Sequence, residues 1–266
     1  MVPDIECAKK CYSSVYGYSK QFKQYSPGYT TTNENLRNAY SLMPKNTENV
    51  LTVAASGDHP MFASLYDAKN IDTFDITYNA KCIMDIKTEA LQVLNYKEYL
   101  NLQEDLYSAV DVKNVKNMDK IFDKLPIEEQ NYMNAMRGFF LFNHGLANYK
   151  KSLLVSESEY AQMREKIKKP FNFIWSDITS LHNHLDKQYG FIHLSNIFDH
   201  LDQDTQITVL FNMMKYVCKD GVICIVSGND IPLAFYDYYK KHNPKSTECW
   251  KVSNPFVSLR VFQRVR

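Results

Sequence analysis

A strand-turn-helix-strand pattern near residue 50 most constrains the fold of this chain. Val50–Val53 is a run of apolar and β-branched residues, and the polar turn Ser56–Asp58 follows it closely. After a helix-like stretch, a second short apolar segment, Ile71–Asp75, ends in an acid. Such a β-α-β unit is typical of nucleotide-binding α/β sheets. The pattern therefore indicates an adenosine ligand with free ribose hydroxyls.

The residues of the turn narrow the choice of ligand. Gly57 is its single glycine, so the G-x-G-x-x-G fingerprint of dinucleotide-binding turns is missing. A pyrophosphate cradle needs several close backbone approaches, which makes a dinucleotide less suitable than a ligand without phosphates. Asp75 lies about 20 residues beyond the glycine, the usual place for a carboxylate that accepts hydrogen bonds from ribose.

Composition and charge argue against several classes of protein. The chain has 266 residues and a formal net charge of +1, which fits one large domain and argues against stable nucleic-acid binding. Its six cysteines form no C-x-x-C pair and no cluster with metal-ligand spacing, so we expect no metal. The sequence shows no secretory signal and no apolar run long enough to span a bilayer. We therefore expect a cytoplasmic protein without a membrane span.

The order of predicted elements indicates the domain organisation. Residues 1–45 read as an N-terminal helical arm, with Asn33 as a helix cap. Residues 46–266 read as an α/β domain, with a first helix from Pro60 and an all-helical insertion at about 96–169. Strands that alternate with helices predict a mostly parallel sheet, Rossmann-like in class. A weak sixth strand is expected near Cys249–Val252.

Polar turns follow the predicted strands, and parallel strands bring such turns to one edge of the sheet. We expect Ser176 and Asp177 to bond an adenine amino group, Ser195 and Asn196 to face the reacting end, and His59 to touch the methionine part of the ligand. The full set of cofactor-contacting candidates is Ala55, Ser56, Gly57, Asp58, His59, Asp75, Ile76, Ser176, Asp177, Ile178, Ser195 and Asn196. Each has a plainer alternative, since a lone Gly-Asp is usually a turn and an acid at a strand end is usually a helix cap.

The candidates for the catalytic side of the site are fewer. Asn196 is one, Asp199 is a second, and Tyr29, in an irregular part of the arm with Tyr25, is a third. Packing of the arm explains the tyrosines equally well, and capping of the next helix explains Asp199. His193 alternates within a strand and is expected to be a core histidine.

The same residues resemble the class I S-adenosylmethionine-dependent transferases. Within that class they resemble the 3-amino-3-carboxypropyl transferases of betaine-lipid synthesis. The resemblance covers roughly residues 45–265, although the single glycine departs from the usual turn. The matching segments are Val50–Asp58, Phe74–Asn79 with Lys87, Leu94–Leu100, Ser176–Asp177 and Leu194–Ile197.

The resemblance implies a seven-stranded sheet whose last strand is antiparallel, with S-adenosylmethionine as co-substrate. The segment Leu194–Ile197 favours aminocarboxypropyl transfer to an oxygen of a small acceptor, such as a nucleotide or peptide-nucleotide phosphate or a lipid hydroxyl. Methyl transfer is the alternative reaction. An alternative of another class is a module that binds the adenosine ligand without consuming it, and a dehydrogenase is a weaker rival.

Overall fold

The structure is a computed structural model that describes most of the chain. The described residues are 2–13, 24–25, 28–32, 34–108, 114–136, 141–142, 155–227, 252–254 and 257–263. The helix expected near 231–242 lies outside them.

The described residues form nine strands, two of which were not expected from the sequence. They are β1 (Gly28–Tyr29), β2 (Asn49–Val53), β3 (Asn70–Asp75), β4 (Leu141–Phe142), β5 (Asn172–Trp175), β6 (Tyr189–His193), β7 (Val217–Ser227), β8 (Val252–Asn254) and β9 (Val257–Gln263). Strand β8 begins where the weak sixth strand was expected.

Helices separate most of these strands. They are α1 (Ile5–Ser13), α2 (Leu36–Tyr40), α3 (Asp58–Leu65), α4 (Tyr78–Val93), α5 (Tyr96–Ser108), α6 (Met118–Phe122), α7 (Ile127–Ala135), α8 (Glu157–Lys166) and α9 (Gln203–Met214). Short 3₁₀ helices occupy Leu181–His184 and Ile197–His200. In the part of the chain that the structure describes, no helix has both the length and the hydropathy needed to cross a membrane.

Seven strands form one sheet in the order β5-β3-β2-β6-β7-β9-β8. Strand β2 pairs in parallel with β3 and β6, and β6 pairs in parallel with β7. Strand β9 runs antiparallel to both of its neighbours, β7 and β8. The strand order reverses between β2 and β6, which is the switch point of the sheet. The expected α/β Rossmann-like fold class is confirmed.

The apolar runs of the sequence form the buried centre of this sheet. Val50, Leu51 and Val53 of β2 are almost fully buried, as are Phe191 and Ile192 of β6. Strands buried on both faces need continuous apolar runs rather than an alternating pattern, and for that reason β2 was recognisable from sequence.

Two of the expected helix starts are wrong by a few residues. Helix α2 is capped by Asn35, whose side chain accepts a hydrogen bond from Asn38 N, and the expected cap Asn33 lies outside the described residues. Helix α3 begins at Asp58 and not at Pro60. An acid is favourable in a first helical turn because of the helix dipole, so Asp58 starts the helix as well as proline would.

In its described residues, the insertion at about 96–169 is mainly helical and contains one short strand. Helices α5, α6, α7 and α8 lie in it, and the two-residue strand β4 pairs in parallel with β1. Helix α8 begins after Ser156, which forms a capping box with Glu159. The expectation of an entirely helical insertion is therefore wrong at Leu141–Phe142.

The chain divides into two compact units. The first unit comprises Met1–Asn33, Ala54–Met61 and Asp75–Trp175, and the second comprises Glu34–Val53, Phe62–Phe74 and Ser176–Arg266. In the first unit, Ala54, Ala80 and Met84 form a buried apolar cluster against Phe171 and Phe173.

Candidate functional site

The turn after β2, in the first unit, contains two residues in the left-handed conformation. Ala55 has a φ of 44° and Gly57 a φ of 79°. Gly57 N donates a 2.7 Å hydrogen bond to Ala54 O, which closes the turn. A left-handed alanine costs roughly 1 kcal/mol or more, so other contacts must hold it.

Gly57 is needed for packing as well as for its φ. A Cβ atom at this position would lie 2.8 Å from Met84 Cα in α4, which is closer than non-bonded atoms approach. Glycine at such a turn can also allow the close approach of a ligand, because it has no Cβ atom. In the structure the backbone of α4 occupies the side on which a Cβ would lie.

Asp58 is held by three groups of the first unit. Its Oδ1 lies 2.6 Å from Lys87 Nζ, and its Oδ2 accepts hydrogen bonds from Ser56 Oγ (2.7 Å) and Thr32 N (3.1 Å). Asp58, Lys87 and Ser56 are all buried. The carboxylate therefore stabilises the turn, α4 and the arm segment that contains Thr32, and a direct role in ligand binding stays a prediction.

Asp75 links the end of β3 to the same turn. Its Oδ2 accepts a 3.0 Å hydrogen bond from Ala55 N, and its Oδ1 accepts one of 3.0 Å from Thr77 N. Burial raises the pKa of this carboxyl to about 6, although the backbone N–H groups of Thr77, Ala55 and Ile76 oppose the rise. A carboxylate has about four lone-pair sites. Ala55 N of the turn uses one of these sites and the N–H groups of Thr77 and Ile76 use two more, so the remaining acceptor capacity is suited to a ribose hydroxyl.

Trp175 contacts the residue after Asp75 and belongs to a cluster of aromatic side chains. Trp175 Nε1 donates a 2.9 Å hydrogen bond to Ile76 O. The Trp175 ring also lies against the rings of Tyr78 and Tyr25, with centroids 5.1 Å and 5.9 Å away. Flat aromatic side chains beside Asp75 form a surface that suits an adenine ring. Sequence reasoning missed Trp175, since it is the last residue of a strand and no motif marks it.

His59 lies at the start of α3 and is almost fully buried. Burial, together with the smaller effect of the positive charge of Lys87, lowers the pKa of its imidazole to about 3. The imidazole is therefore neutral at physiological pH. Tyr29, a catalytic candidate, lies on β1 opposite Phe142 and is 39% exposed.

In the second unit, Asp177 caps its own turn after β5. Its Oδ1 accepts hydrogen bonds from Thr179 N and Thr179 Oγ1, each 2.8 Å long. Ser176 Oγ lies 3.1 Å from Ser180 Oγ, and Ile178 is buried. These contacts match the plainer interpretation of Asp177 as a cap, and adenine recognition by this turn stays a prediction.

Ser195, also in the second unit, follows β6 in the left-handed conformation, with a φ of 54°. Its Oγ donates a hydrogen bond to Glu34 Oε1. Its carbonyl oxygen accepts a 3.1 Å hydrogen bond from Val226 N of β7. These bonds over-determine a conformation that a non-glycine residue rarely adopts.

Glu34 is the buried acid with which the polar residues of this turn interact. His193 Nε2 lies 3.6 Å from Glu34 Oε2, and the His193 ring stacks on Tyr40 with centroids 5.4 Å apart. Burial raises the pKa of Glu34 to about 7, hydrogen bonds from Ser195 and Asn196 N oppose the rise, and the charge of Asp199 adds to it. The structure thus brings Ser195, Asn196 and Asp199 together around one buried acid.

Sequence reasoning missed Glu34 because it treated the residue as part of a capped helix. Its partner Ser195 is 161 positions away, and local pattern gives no signal for such a pair. His193 is fully buried in β6, as a core histidine should be.

Comparisons with known proteins give only distant likenesses. No protein-family model and no curated protein sequence matches this chain. Among solved structures, N-methyltransferase NodS from Bradyrhizobium japonicum WM9 in complex with S-adenosyl-L-homocysteine is 9% identical, with 98% of each chain covered and a TM-score of 0.42. The rRNA methyltransferase aviRa from Streptomyces viridochromogenes is 10% identical over 91% of this chain and 90% of that chain, with a TM-score of 0.47.

The ribosomal protein L11 methylase from Lactobacillus delbrueckii subsp. bulgaricus is 8% identical over 90% of this chain and 83% of that chain, with a TM-score of 0.45. All three likenesses are distant in sequence and in shape. The α/β fold of this chain is therefore assigned from its own strand order.

Proposed function

We propose that this chain is an S-adenosylmethionine-dependent transferase. The observation that carries the proposal is the hydrogen bond from Ala55 N to Asp75 Oδ2, 3.0 Å long. It joins the glycine turn after β2 to the acid at the end of β3, so that one carboxylate both fixes the turn and offers lone pairs to a ribose. In α/β sheets, ligands bind beyond the carboxyl ends of strands at the switch point, which here adjoins β2.

Four groups of residues in the first unit have distinct proposed roles. Asp75 accepts hydrogen bonds from the ribose hydroxyls, and Ile76 with Trp175 provides an apolar surface for the adenine. The turn Ala54–Gly57 provides backbone groups for the methionine part. The Asp58–Lys87 ion pair keeps that turn rigid, with 2.6 Å between Oδ1 and Nζ.

We assign the acceptor side to the turn after β6, which contains Ser195 and Asn196. Within the second unit, β6 pairs in parallel with β2, and its carboxyl end is the end at which such sheets bind ligands. The 3₁₀ helix that begins at Ile197 carries Asp199. Adenine recognition by Ser176, Asp177 and Ile178, and a catalytic role for Tyr29, complete the proposed set.

The chemistry follows from the sulfonium of S-adenosylmethionine. A nucleophilic atom of the acceptor attacks the methyl carbon, the C–S bond breaks, and its electron pair stays on sulfur to give S-adenosylhomocysteine. The protein contributes orientation and exclusion of water, and a base is needed only when the acceptor arrives protonated. Attack on the γ-carbon instead gives aminocarboxypropyl transfer and methylthioadenosine.

Methyl transfer is the reaction that we place first. The preference for aminocarboxypropyl transfer rested on the segment Leu194–Ile197, and the comparisons give that preference no support. In the structure this segment is a turn held by the hydrogen bond from Ser195 to Glu34, an arrangement that serves either reaction.

The test is to incubate the protein with S-adenosylmethionine and acceptors bearing amine, hydroxyl or phosphate groups, and to identify the nucleoside products by mass spectrometry. We expect S-adenosylhomocysteine. Methylthioadenosine would overturn methyl transfer in favour of aminocarboxypropyl transfer. Tight binding without either product would favour a non-catalytic module, and absence of binding to S-adenosylmethionine or S-adenosylhomocysteine would refute the proposal.

A further inference from the structure

The turn after β6 is fixed by a buried acid that no sequence motif marks. Glu34 is 5% exposed, and the Ser195 hydroxyl donates to its Oε1. The backbone N–H of Asn196 also donates to this carboxylate. Two consecutive residues of the turn therefore donate to one carboxylate. The first of them, Ser195, has a φ of 54°.

We infer that Glu34 is a positioning residue of the proposed transfer site: its carboxylate holds the Ser195–Asn196 turn, and protonation of that carboxylate loosens the turn. An ionised carboxylate accepts both hydrogen bonds at full strength, because bonds to a charged acceptor are shorter and roughly twice as strong as neutral ones. A neutral carboxyl carries a proton on one oxygen, and that oxygen is a poor acceptor.

Several titratable groups of the second unit face Glu34, and an experiment must distinguish their protonation from that of Glu34. From β6, His193 Nε2 lies 3.6 Å away, and Asp199 of the following 3₁₀ helix adds a negative charge. Tyr40 of α2 and Cys224 of β7 both have a pKa raised well above the ordinary value, mainly by burial, and both stay neutral near pH 7. Glu34 and His193 are then the two groups that an experiment must separate.

The position of the turn should affect ligand affinity, and this expectation rests on the proposed function. Asn196 is the proposed contact of the reacting end of S-adenosylmethionine, and its backbone N–H is one of the two donors to Glu34. When Glu34 is protonated, the turn loses about one hydrogen bond of support. The expected result is ligand affinity that weakens about 3- to 10-fold as the pH falls through the pKa of Glu34.

The first measurement follows the backbone amides of Ser195 and Asn196 by ¹⁵N NMR between pH 5.5 and 8.5, on the full chain without ligand. We expect both signals to titrate with a midpoint near 7, the pKa of Glu34. In Glu34→Gln the titration disappears. In the matched control Glu48→Gln, at an exposed glutamate of the same unit, it is unchanged.

Ser195→Ala provides a second variant that keeps the acid. The hydrogen bond from Ser195 lowers the pKa of Glu34. Its loss in this variant should therefore raise that pKa and move the midpoint of the Asn196 signal to higher pH. Amides that do not titrate in the wild type would overturn the inference. A titration that persists in Glu34→Gln would overturn it as well, since it would belong to His193.

The second measurement is the affinity for S-adenosylhomocysteine by calorimetry over the same pH range. We expect tighter binding at pH 8 than at pH 6 in the wild type and in Glu48→Gln, and weak, pH-independent binding in Glu34→Gln. If S-adenosylhomocysteine does not bind at any pH, the proposed function fails, while the amide titration still decides the role of Glu34. Equal affinity in the wild type and Glu34→Gln at pH 8 would overturn the positioning role.

Discussion

Asp58 and Lys87 form a buried ion pair in which Asp58 Oδ1 lies 2.6 Å from Lys87 Nζ. The side chains are 7% and 2% exposed, respectively. Thr32 N and Ser56 Oγ donate to the other carboxylate oxygen, so the pair ties the arm, the glycine turn and α4 into one network. Removal of a single partner leaves a buried charge, and from this follows the first prediction.

Lys87→Met is expected to lower the free energy of unfolding by about 3–5 kcal/mol, because Asp58 is then left buried without its cation. The measurement is urea denaturation followed by circular dichroism at neutral pH. Lys9→Met is the matched control, since Lys9 pairs with Glu6 at an exposed surface and is 49% exposed. We expect the control to change stability by less than about 1 kcal/mol. Equal stability of the two variants would contradict the assigned role of the pair.

Gly57→Ala is expected to destabilise the protein by roughly 1–3 kcal/mol through its left-handed backbone and the clash with Met84. Gly190→Ala is the comparison, because its Cβ would lie 3.0 Å from the side-chain atom Thr47 Cγ2 rather than from backbone. Thermal unfolding of both variants measures the difference. A smaller effect at Gly57 than at Gly190 would show that α4 can move away from the turn.

Asp75→Asn is expected to weaken S-adenosylhomocysteine binding by roughly 1–3 kcal/mol, since charge-assisted hydrogen bonds to the ribose are lost. Asparagine keeps one acceptor oxygen, so the turn at Ala55 is less disturbed than in an alanine variant. Calorimetry on the folded protein measures the affinity. Asp119→Asn, at an exposed position of α6, serves as the control. Unchanged affinity in folded Asp75→Asn would remove Asp75 from the proposed site.

The stability of the protein should depend on pH through Glu34. Its pKa is raised from 4.5 to about 7 by burial, so the fold favours the neutral carboxyl. Protonation of Glu34 therefore contributes to the free energy of unfolding. This contribution is fully present below pH 4.5, is lost as the pH rises to about 7, and amounts to about 3 kcal/mol in all. Relative to Glu34→Gln, the wild type should therefore lose unfolding free energy over this range, as denaturation at several pH values measures. A constant difference between the two would refute the assignment, and Glu48→Gln should follow the wild type throughout.

Local sequence pattern was sufficient for the elements that carry the sheet. The run Val50–Val53 is buried as β2, and Asp75 ends β3 as the β-α-β pattern predicts. Hydrophobic periodicity and turn residues act over a few positions, so they are legible in one sequence. Element boundaries were less certain, as Asn35 and Asp58 show at the starts of α2 and α3.

The sequence by itself determined the fold class and the positions of the turns that follow the strands. Tertiary structure alone decided what those turns contact: Met84 against Gly57, Lys87 against Asp58, and Glu34 beneath Ser195. The partners in the last pair are 161 residues apart. Strand order brings such residues together, and strand order depends on the packing of the whole chain rather than on any local pattern. For the same reason the raised pKa of Glu34 could not be foreseen, because burial, which causes it, is a property of the folded chain.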